Sequence, residues 1–314
     1  MPVGSVIVVT HNSANCIEAC LSSLLPAKTW RIVLVDNAST DKTVYKARRL
    51  APELSIQVNR QNVGFGAAVN QGCRIADGNV FLILNPDIAA QPHSLDKLLE
   101  AVSADGVGAA GGLLAESSGQ AQVGFTLRRF PTLASALAEV MLLNRLWPNN
   151  SINRKYRCLD LDHSKVQEVE QPAGACLAIM KEAWKDVGGF DESFFPVWFE
   201  DVDFCRRLHD RGWKIVFCPE AAFAHIGGHS VRQLNFRDRQ TFWYRNLLRY
   251  FAKHHPYWQL VVLRMGVVAG LLLRSLLSLL RLHPVALSIR ESVSAYGYVM
   301  WHYAVRGRDL RPSE

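Results

Sequence analysis

Between Ser5 and about Val107, short apolar runs alternate with amphipathic helical stretches. That alternation limits the fold more than any other feature of the chain. SVIVVT, RIVLVD and NVFLILN read as strands, with a short fourth at residues 55–59. Helical patterns occupy residues 14–25, 41–50, 67–76 and 94–102, the second opened by Ser39 and Thr40. An apolar run with no polar alternation is a strand covered on both faces, and helices between such strands make βαβ units. The prediction is an α/β fold: a mostly parallel sheet flanked by helices.

Residues 114–168 break the rhythm with SSGQAQ, FPTL and WPNNS. They predict a variable, mobile insert able to shape an acceptor pocket. The strand pattern returns at QPAGACLAIM. A short helix is expected at 181–187, another at 201–211, a strand at 214–218, then a loop carrying His225. A long aromatic and basic helix follows at 236–254. The expected organisation is a catalytic domain at 1–232, with the insert inside it, and a helical, basic C-terminal region at 233–314.

The C-terminal region also holds the most apolar stretch, residues 258–282. Arg264 and Arg274 interrupt it, leaving no run near the roughly 18 uncharged residues of a spanning helix. On a helical wheel Arg264, Arg274, Ser275, Ser278 and Arg281 share a polar arc. A wide apolar face with a basic strip predicts a helix lying in a membrane interface; the competing readings are a core helix packed on the domain and a span whose arginines snorkel or are buried in a partner. The net charge of +7 suits an anionic membrane surface or diphosphate substrates. Nucleic acid is disfavoured, because the basic residues adjoin an apolar helix and not an aromatic-studded sheet. The seven cysteines contain no CxxC and read as reduced core thiols. The N-terminus shows no basic-then-apolar leader, so a cytoplasmic location is expected.

Four residues stand where strand patterns end or a helix begins: Asp36, Asp87, Asp201 and His225. The carboxyl edge of a parallel sheet is where ligands bind in open α/β folds. Asp36 can accept a base imide or a ribose hydroxyl. Asp87 can give a hard oxygen to Mg²⁺ or Mn²⁺, and His225 is the natural second ligand, a pair that suits Mn²⁺ slightly better. Competing readings are an Asx-type turn after Pro86 and a hydrogen-bonded loop histidine. Glu200, Asp201 and Asp203 open a helix; mutual repulsion raises their pKa values as a general base requires, although first-turn acids also match the helix dipole. Phe194, Phe195, Trp198 and Phe199 read either as a wall for a sugar or as core. Gly64 and Gly66 lie in a glycine turn entering a helix, a weak phosphate signal alone.

In combination the segments VIVVTHNS, VLVDNASTD, NVGFGAAVNQG, FLILNPD, PAGACLAIMKEAWKDVGGFDESFF, FEDVDFCRRLHDRGW and HIGGHS resemble family 2 glycosyltransferases of the GT-A fold. They are most similar to the bacterial rhamnosyltransferase-like branch. The resemblance covers roughly residues 3–229 apart from the insert. It implies a nucleoside-diphosphate sugar donor, a divalent metal and inversion at the anomeric carbon. It maps Asp36 to the nucleotide base, Asp87 to the last acid of an Asp-x-Asp metal motif, Asp201 to the catalytic base and His225 to a metal ligand. Thr10, Asn12, Asn37, Asn62, Gly64, Gly66, Asn70, Asn85 and Glu200 join Asp36 and Asp87 as expected nucleotide-sugar contacts. Asn85 departs from the pattern, standing where many members carry Asp.

The resulting expectation is transfer of a sugar, best taken as L-rhamnose from dTDP-L-rhamnose, to a glycan or polyprenyl-diphosphate-linked acceptor. The place is the inner face of the cell membrane. A UDP-sugar, or another donor sugar such as galactofuranose, galactose, glucose or an N-acetylhexosamine, fits the same class. A non-catalytic nucleotide-sugar or membrane-binding module is the reading from a different class.

Overall fold

The computed structural model describes residues 3–116, 118–225, 234–281 and 288–307. Residues 226–230 of the HIGGHS motif, Arg232, Arg308 and Arg311 lie outside them. The described chain forms two units.

The first unit comprises residues 1–130, 157–192 and 200–230. Its strands are β1 (Gly4–Thr10), β2 (Trp30–Asp36), β3 (Ser55–Val58), β4 (Val80–Leu84), β5 (Ile88–Ala90), β6 (Val107–Ala115), β7 (Leu127–Arg128), β8 (Gln167–Glu168), β9 (Gln171–Pro172), β10 (Cys176–Met180) and β11 (Lys214–His225). The main sheet has the order β3-β2-β1-β4-β10-β6-β11-β5, with β8 also on β11. Strands β3, β2, β1, β4, β6 and β11 run one way, and β10, β5 and β8 run against them. The expected mostly parallel sheet is therefore present, with β10 inserted antiparallel at its centre.

Side chains along a strand alternate between faces. Val6 and Val8 of β1 accordingly pack into one core with Leu34, Leu82 and Leu84, while Ile7 and Val9 pack into the other with Val33, Val35 and Ile83. Both faces are apolar because helices cover both. All seven cysteines are buried and free, as expected. Burial pushes the Cys16 thiol up to about 12, so it stays protonated.

Three local expectations are corrected. The helix expected at 41–50 runs Thr43–Leu50 and is not capped by Ser39 or Thr40; Asp41 Oδ1 instead accepts from Thr43 N at 2.9 Å. QPAGACLAIM is not one strand: it divides into β9 and β10 around Ala173–Gly174–Ala175. His225 is not in a loop but ends β11, which continues seven residues past Cys218. Pro219 reads as a strand breaker in sequence. In the structure it falls where the β6–β11 register shifts between Cys218 and Ala222, a bulge that tolerates a missing N–H.

The second unit comprises residues 131–156, 193–199 and 231–314. The insert is thus not loop throughout: it contributes helices Leu133–Val140, Leu143–Leu146 and Ser151–Tyr156 to this unit. The remaining helices are Phe236–His254, Tyr257–Leu279 and Ile289–Val299, followed by a π-helical turn, Met300–Val305. Phe195 and Phe199 pack on Phe242, Trp243 and Tyr250, and buried Asn246 donates to the carbonyls of Val197 (2.9 Å) and Trp198 (3.1 Å). Of the two readings of this aromatic run, packing describes these contacts.

Helix Tyr257–Leu279 contains an 18-residue window with a mean hydropathy of 2.0 and is long and apolar enough to cross a membrane by length and composition. Two residues of its polar strip, Arg264 and Arg274, face its own unit, while Arg281 lies past the helix end and is exposed. Arg264 donates to the carbonyls of Ala304 and Val305, and Arg274 to those of Glu139 and Val140. Both arginines thus donate to carbonyls at or near helix C-termini, where cationic side chains are favoured. Met265, Leu272, Leu276 and Leu279 are each more than half exposed. They recur seven, four and three residues apart and form one outward apolar stripe.

Gly266 and Gly270 let this helix approach Leu133–Val140. A Cβ on Gly270 would lie 2.2 Å from the Val140 carbonyl oxygen. Gly270→Ala should therefore destabilise the second unit by about 1–3 kcal/mol, although alanine is intrinsically the better helix former. Urea unfolding followed by circular dichroism checks this, and an unchanged midpoint would reject the close approach.

Candidate active site

The parallel register carries the ends of β1 and β2 to one edge, where Thr10 lies opposite Asp36. Asp36 is fully buried and accepts from Thr10 Oγ1 (2.8 Å), Ser39 N (2.9 Å) and Ser39 Oγ (2.6 Å). A carboxylate offers about four acceptor positions, so a further donor can still be accommodated. Asn12, with φ of 49°, accepts from Thr40 N at 2.8 Å, joining the loops that follow β1 and β2. Asn37 donates to Asn62 Oδ1 (2.8 Å) and accepts from Val63 N (2.9 Å), shaping the turn before Gly64. Gly64 adopts φ of 88°, a conformation that favours glycine, and precedes helix Phe65–Ile75. These residues bring backbone and amide groups together at one end of β1 and β2.

Two expected contacts are otherwise engaged. The Asn70 amide donates to Phe190 O (2.8 Å) and Glu192 Oε1 (3.0 Å) and accepts from Phe190 N (2.9 Å), so it clamps the 190 loop. A Cβ on Gly66 would find only ordinary contacts, nearest 3.5 Å, so packing alone does not demand glycine there.

At the same edge β4 turns through Asn85, Pro86 and Asp87 into β5, with Ile88 N donating to Asn85 O at 3.2 Å. Strand β5 pairs antiparallel with the end of β11, Ile88 opposite His225. That register brings Asp87 Oδ2 to 3.8 Å from His225 Nε2, both residues being buried. Burial holds the His225 imidazole below the usual histidine range, against an opposite pull from Asp87. Nδ1 of the ring lies 2.7 Å from Gln122 Oε1, and Phe125 stacks on it at 5.0 Å. Among the described residues no group of three or more His, Cys, Asp or Glu gathers to hold a metal. The Asp87–His225 pair fits a cation that takes its remaining ligands from diphosphate and water.

Asp201 opens helix Glu200–Asp210. Its Oδ2 accepts from Gly174 N (2.9 Å) and Gln171 Nε2 (3.2 Å), and its Oδ1 from Val202 N (2.8 Å). Gly174 is a requirement of space: a Cβ there would stand 2.6 Å from Asp201 Cβ. Ala175 O accepts from Asn85 N at 2.9 Å, tying the segment that holds Asp201 to the turn that carries Asp87. Burial raises the Asp201 carboxyl above the usual carboxylate range, with the Gly174 N–H as the first opposing influence. Glu200 is raised well above that range, first by burial and then by the Asp201 charge. Its buried Oε2 has no hydrogen-bond partner among the described residues. Asp203 instead pairs with Arg207 at 2.8 Å, the structural use of a first-turn acid.

Gln171, Gly174 and Gln122 escape sequence reasoning. Small residues in PAGA mark a close approach without naming what approaches, and Gln122 carries no local signal within the insert.

The model of glycosyl transferase family 2 matches residues 5–186, and that of glycosyl transferase family group 2 matches residues 160–306. The chain is 30% identical over 284 residues to the N-acetylglucosaminyl-diphospho-decaprenol L-rhamnosyltransferase of Mycobacterium tuberculosis, covering 86% of this chain and 91% of that protein. It is 24% identical over 257 residues to the rhamnosyltransferase WbbL of Escherichia coli, covering 79% and 92%. The mannosyltransferase PcManGT of Pyrobaculum calidifontis, solved with GDP-Man and Mn²⁺, superposes with a TM-score of 0.56 at 18% identity, covering 99% of this chain and 87% of that one. That likeness is one of fold, the GT-A arrangement. The chain belongs to glycosyl transferase family 2, within its rhamnosyltransferase-like members, and is a glycosyltransferase.

Proposed function

We propose that this enzyme transfers L-rhamnose from dTDP-L-rhamnose, with inversion, to a lipid-linked or growing cell-surface glycan. The observation that carries the reading is Asp201. A carboxylate held by two backbone N–H groups and one amide, and raised by burial, is suited to take a proton from an acceptor hydroxyl. The acceptor oxygen then attacks the anomeric carbon from the face opposite the departing nucleoside diphosphate. Asp36, Asn37, Asn62 and the Gly64 turn would receive the nucleotide, with the start of helix Phe65–Ile75 favouring the diphosphate. Held by Asp87 and His225, Mg²⁺ or Mn²⁺ would supply positive charge to the diphosphate oxygens. An imidazole ligand suits Mn²⁺ more than Mg²⁺. Asn85 contributes no charge, which leaves Asp87 as the acid of that turn. Rhamnose and a polyprenyl-diphosphate acceptor are supported by the name of the mycobacterial relative. A UDP-linked or different hexose would use the same groups.

The enzyme is placed at the inner face of the cell membrane. The outward stripe of helix Tyr257–Leu279 supports this. Burying a leucine or methionine side chain contributes roughly 1.5–3 kcal/mol, against about 1 kcal/mol for an arginine near anionic lipid. Since Arg264 and Arg274 are engaged by carbonyls, apolar burial should dominate.

Two outcomes follow. Asp201→Asn should lower turnover by about 10²–10⁴-fold and leave donor affinity unchanged. In the native enzyme the base must be ionised, so turnover should climb with pH through a pKa above the ordinary aspartate value and fall below it; the Asn variant should lose that limb. Turnover and donor affinity measured on one sample across pH decide it, and wild-type turnover would reject Asp201 as base. In flotation with anionic liposomes, the full chain should float at low and high salt, and Leu272→Asp/Leu276→Asp should not. A native chain that stays in solution would end the membrane reading; one released only by detergent would show a span.

A further inference from the structure

We propose that Gln122 is a positioning residue of the Asp87–His225 centre, fixing the ring tautomer in which His225 Nε2 keeps its lone pair toward Asp87. The inference rests on the metal reading above. It starts from a two-point contact. Gln122 Nε2 donates to the His225 carbonyl oxygen at 3.0 Å, and Gln122 Oε1 lies 2.7 Å from His225 Nδ1.

The carbonyl decides which way the amide points. A carbonyl oxygen only accepts, so the amide NH₂ must face it. The amide oxygen is then left facing Nδ1, and an oxygen there only accepts. Nδ1 therefore carries the hydrogen. A neutral imidazole has one N–H, so Nε2 is unprotonated.

The other side of the ring agrees. Nε2 and Asp87 Oδ2 are 3.8 Å apart, beyond a hydrogen bond. Two ligands with bonds of about 2.1 Å to one cation can stand up to about 4.2 Å apart. The separation fits two acceptors aimed at a shared ion.

Gln122 is itself held. Its N–H donates to Leu114 O at 2.8 Å, and its carbonyl accepts from Phe125 N (3.0 Å) and Thr126 N (3.0 Å). Leu114 is paired with Phe223, two residues before His225 on β11. Phe125, from the same turn, lies nearly parallel to the imidazole at 19°. One turn of the insert thus sets both the plane and the protonation pattern of the ring.

The test uses the full chain labelled with ¹⁵N-histidine. Two-bond ¹H–¹⁵N correlations report the His225 tautomer, and electron paramagnetic resonance counts free Mn²⁺ with dTDP present. The native protein should show Nδ1–H. Gln122→Ala should lose that preference and bind Mn²⁺ about 10–100-fold more weakly. Gln122→Glu still accepts from Nδ1–H and should keep the tautomer and bind more tightly than the Ala variant. A native Nε2–H tautomer, or an Ala variant with native tautomer and native Mn²⁺ affinity, would overturn the proposal. Unchanged Mn²⁺ binding by Asp87→Ala and His225→Ala would overturn the metal centre itself, a failure told apart by those two variants.

Discussion

The pairing of β5 with the last residues of β11 is the contact on which the candidate site depends. Strand β5 is only three residues long, yet its register sets Ile88 opposite His225. Asp87 and His225, more than a hundred residues apart in the chain, become neighbours through that ladder. Strand β11 reaches this point because the bulge at Pro219 lets it continue past an apparent stop. Without that continuation His225 would lie in an unpaired segment, and the carboxylate of Asp87 would have no imidazole beside it.

The second requirement is close approach without side chains. Gly174 has no Cβ, so a backbone N–H can reach Asp201 at 2.9 Å, and Ala175, just before the antiparallel strand β10, ties this segment to Asn85. The base is thus fixed by the sheet and not by its own helix alone. Burial that raises Asp201 and Glu200 is destabilising for an ionised carboxylate, and perturbed groups of this kind concentrate at functional sites. Glu200 shows the cost most plainly, since its buried oxygen has no partner among the described residues. A raised acid contributes stability at low pH that is lost as pH rises through its folded pKa.

In the second unit, the arginines and the apolar residues of one helix have opposite uses. Arg264 and Arg274 face inward and satisfy carbonyls, while Met265, Leu272, Leu276 and Leu279 face outward. An arginine donating to a helix-end carbonyl makes a charge-assisted hydrogen bond, and both of these are held within their own unit by such bonds. The exposed leucines carry the lipid reading for that reason.

The sequence by itself determined the α/β class, most element positions in the first hundred residues, the buried thiols and the family, because strand and helix periods are local and the motifs are contiguous. It also singled out Asp87, His225 and Asp201 as a set, since each ends a strand pattern or opens a helix. Only the tertiary structure decided which atoms meet. Period-2 and period-3.6 patterns say which face is apolar but not which strand lies alongside, so the β5–β11 register, the inserted β10 and the Gly174–Asp201 contact were out of reach. The same limit hid Gln122, whose partner is 103 residues away. It also hid the inward turn of the arginines: a helical wheel shows that charges share a side, and only the neighbouring carbonyls decide whether that side faces protein or solvent.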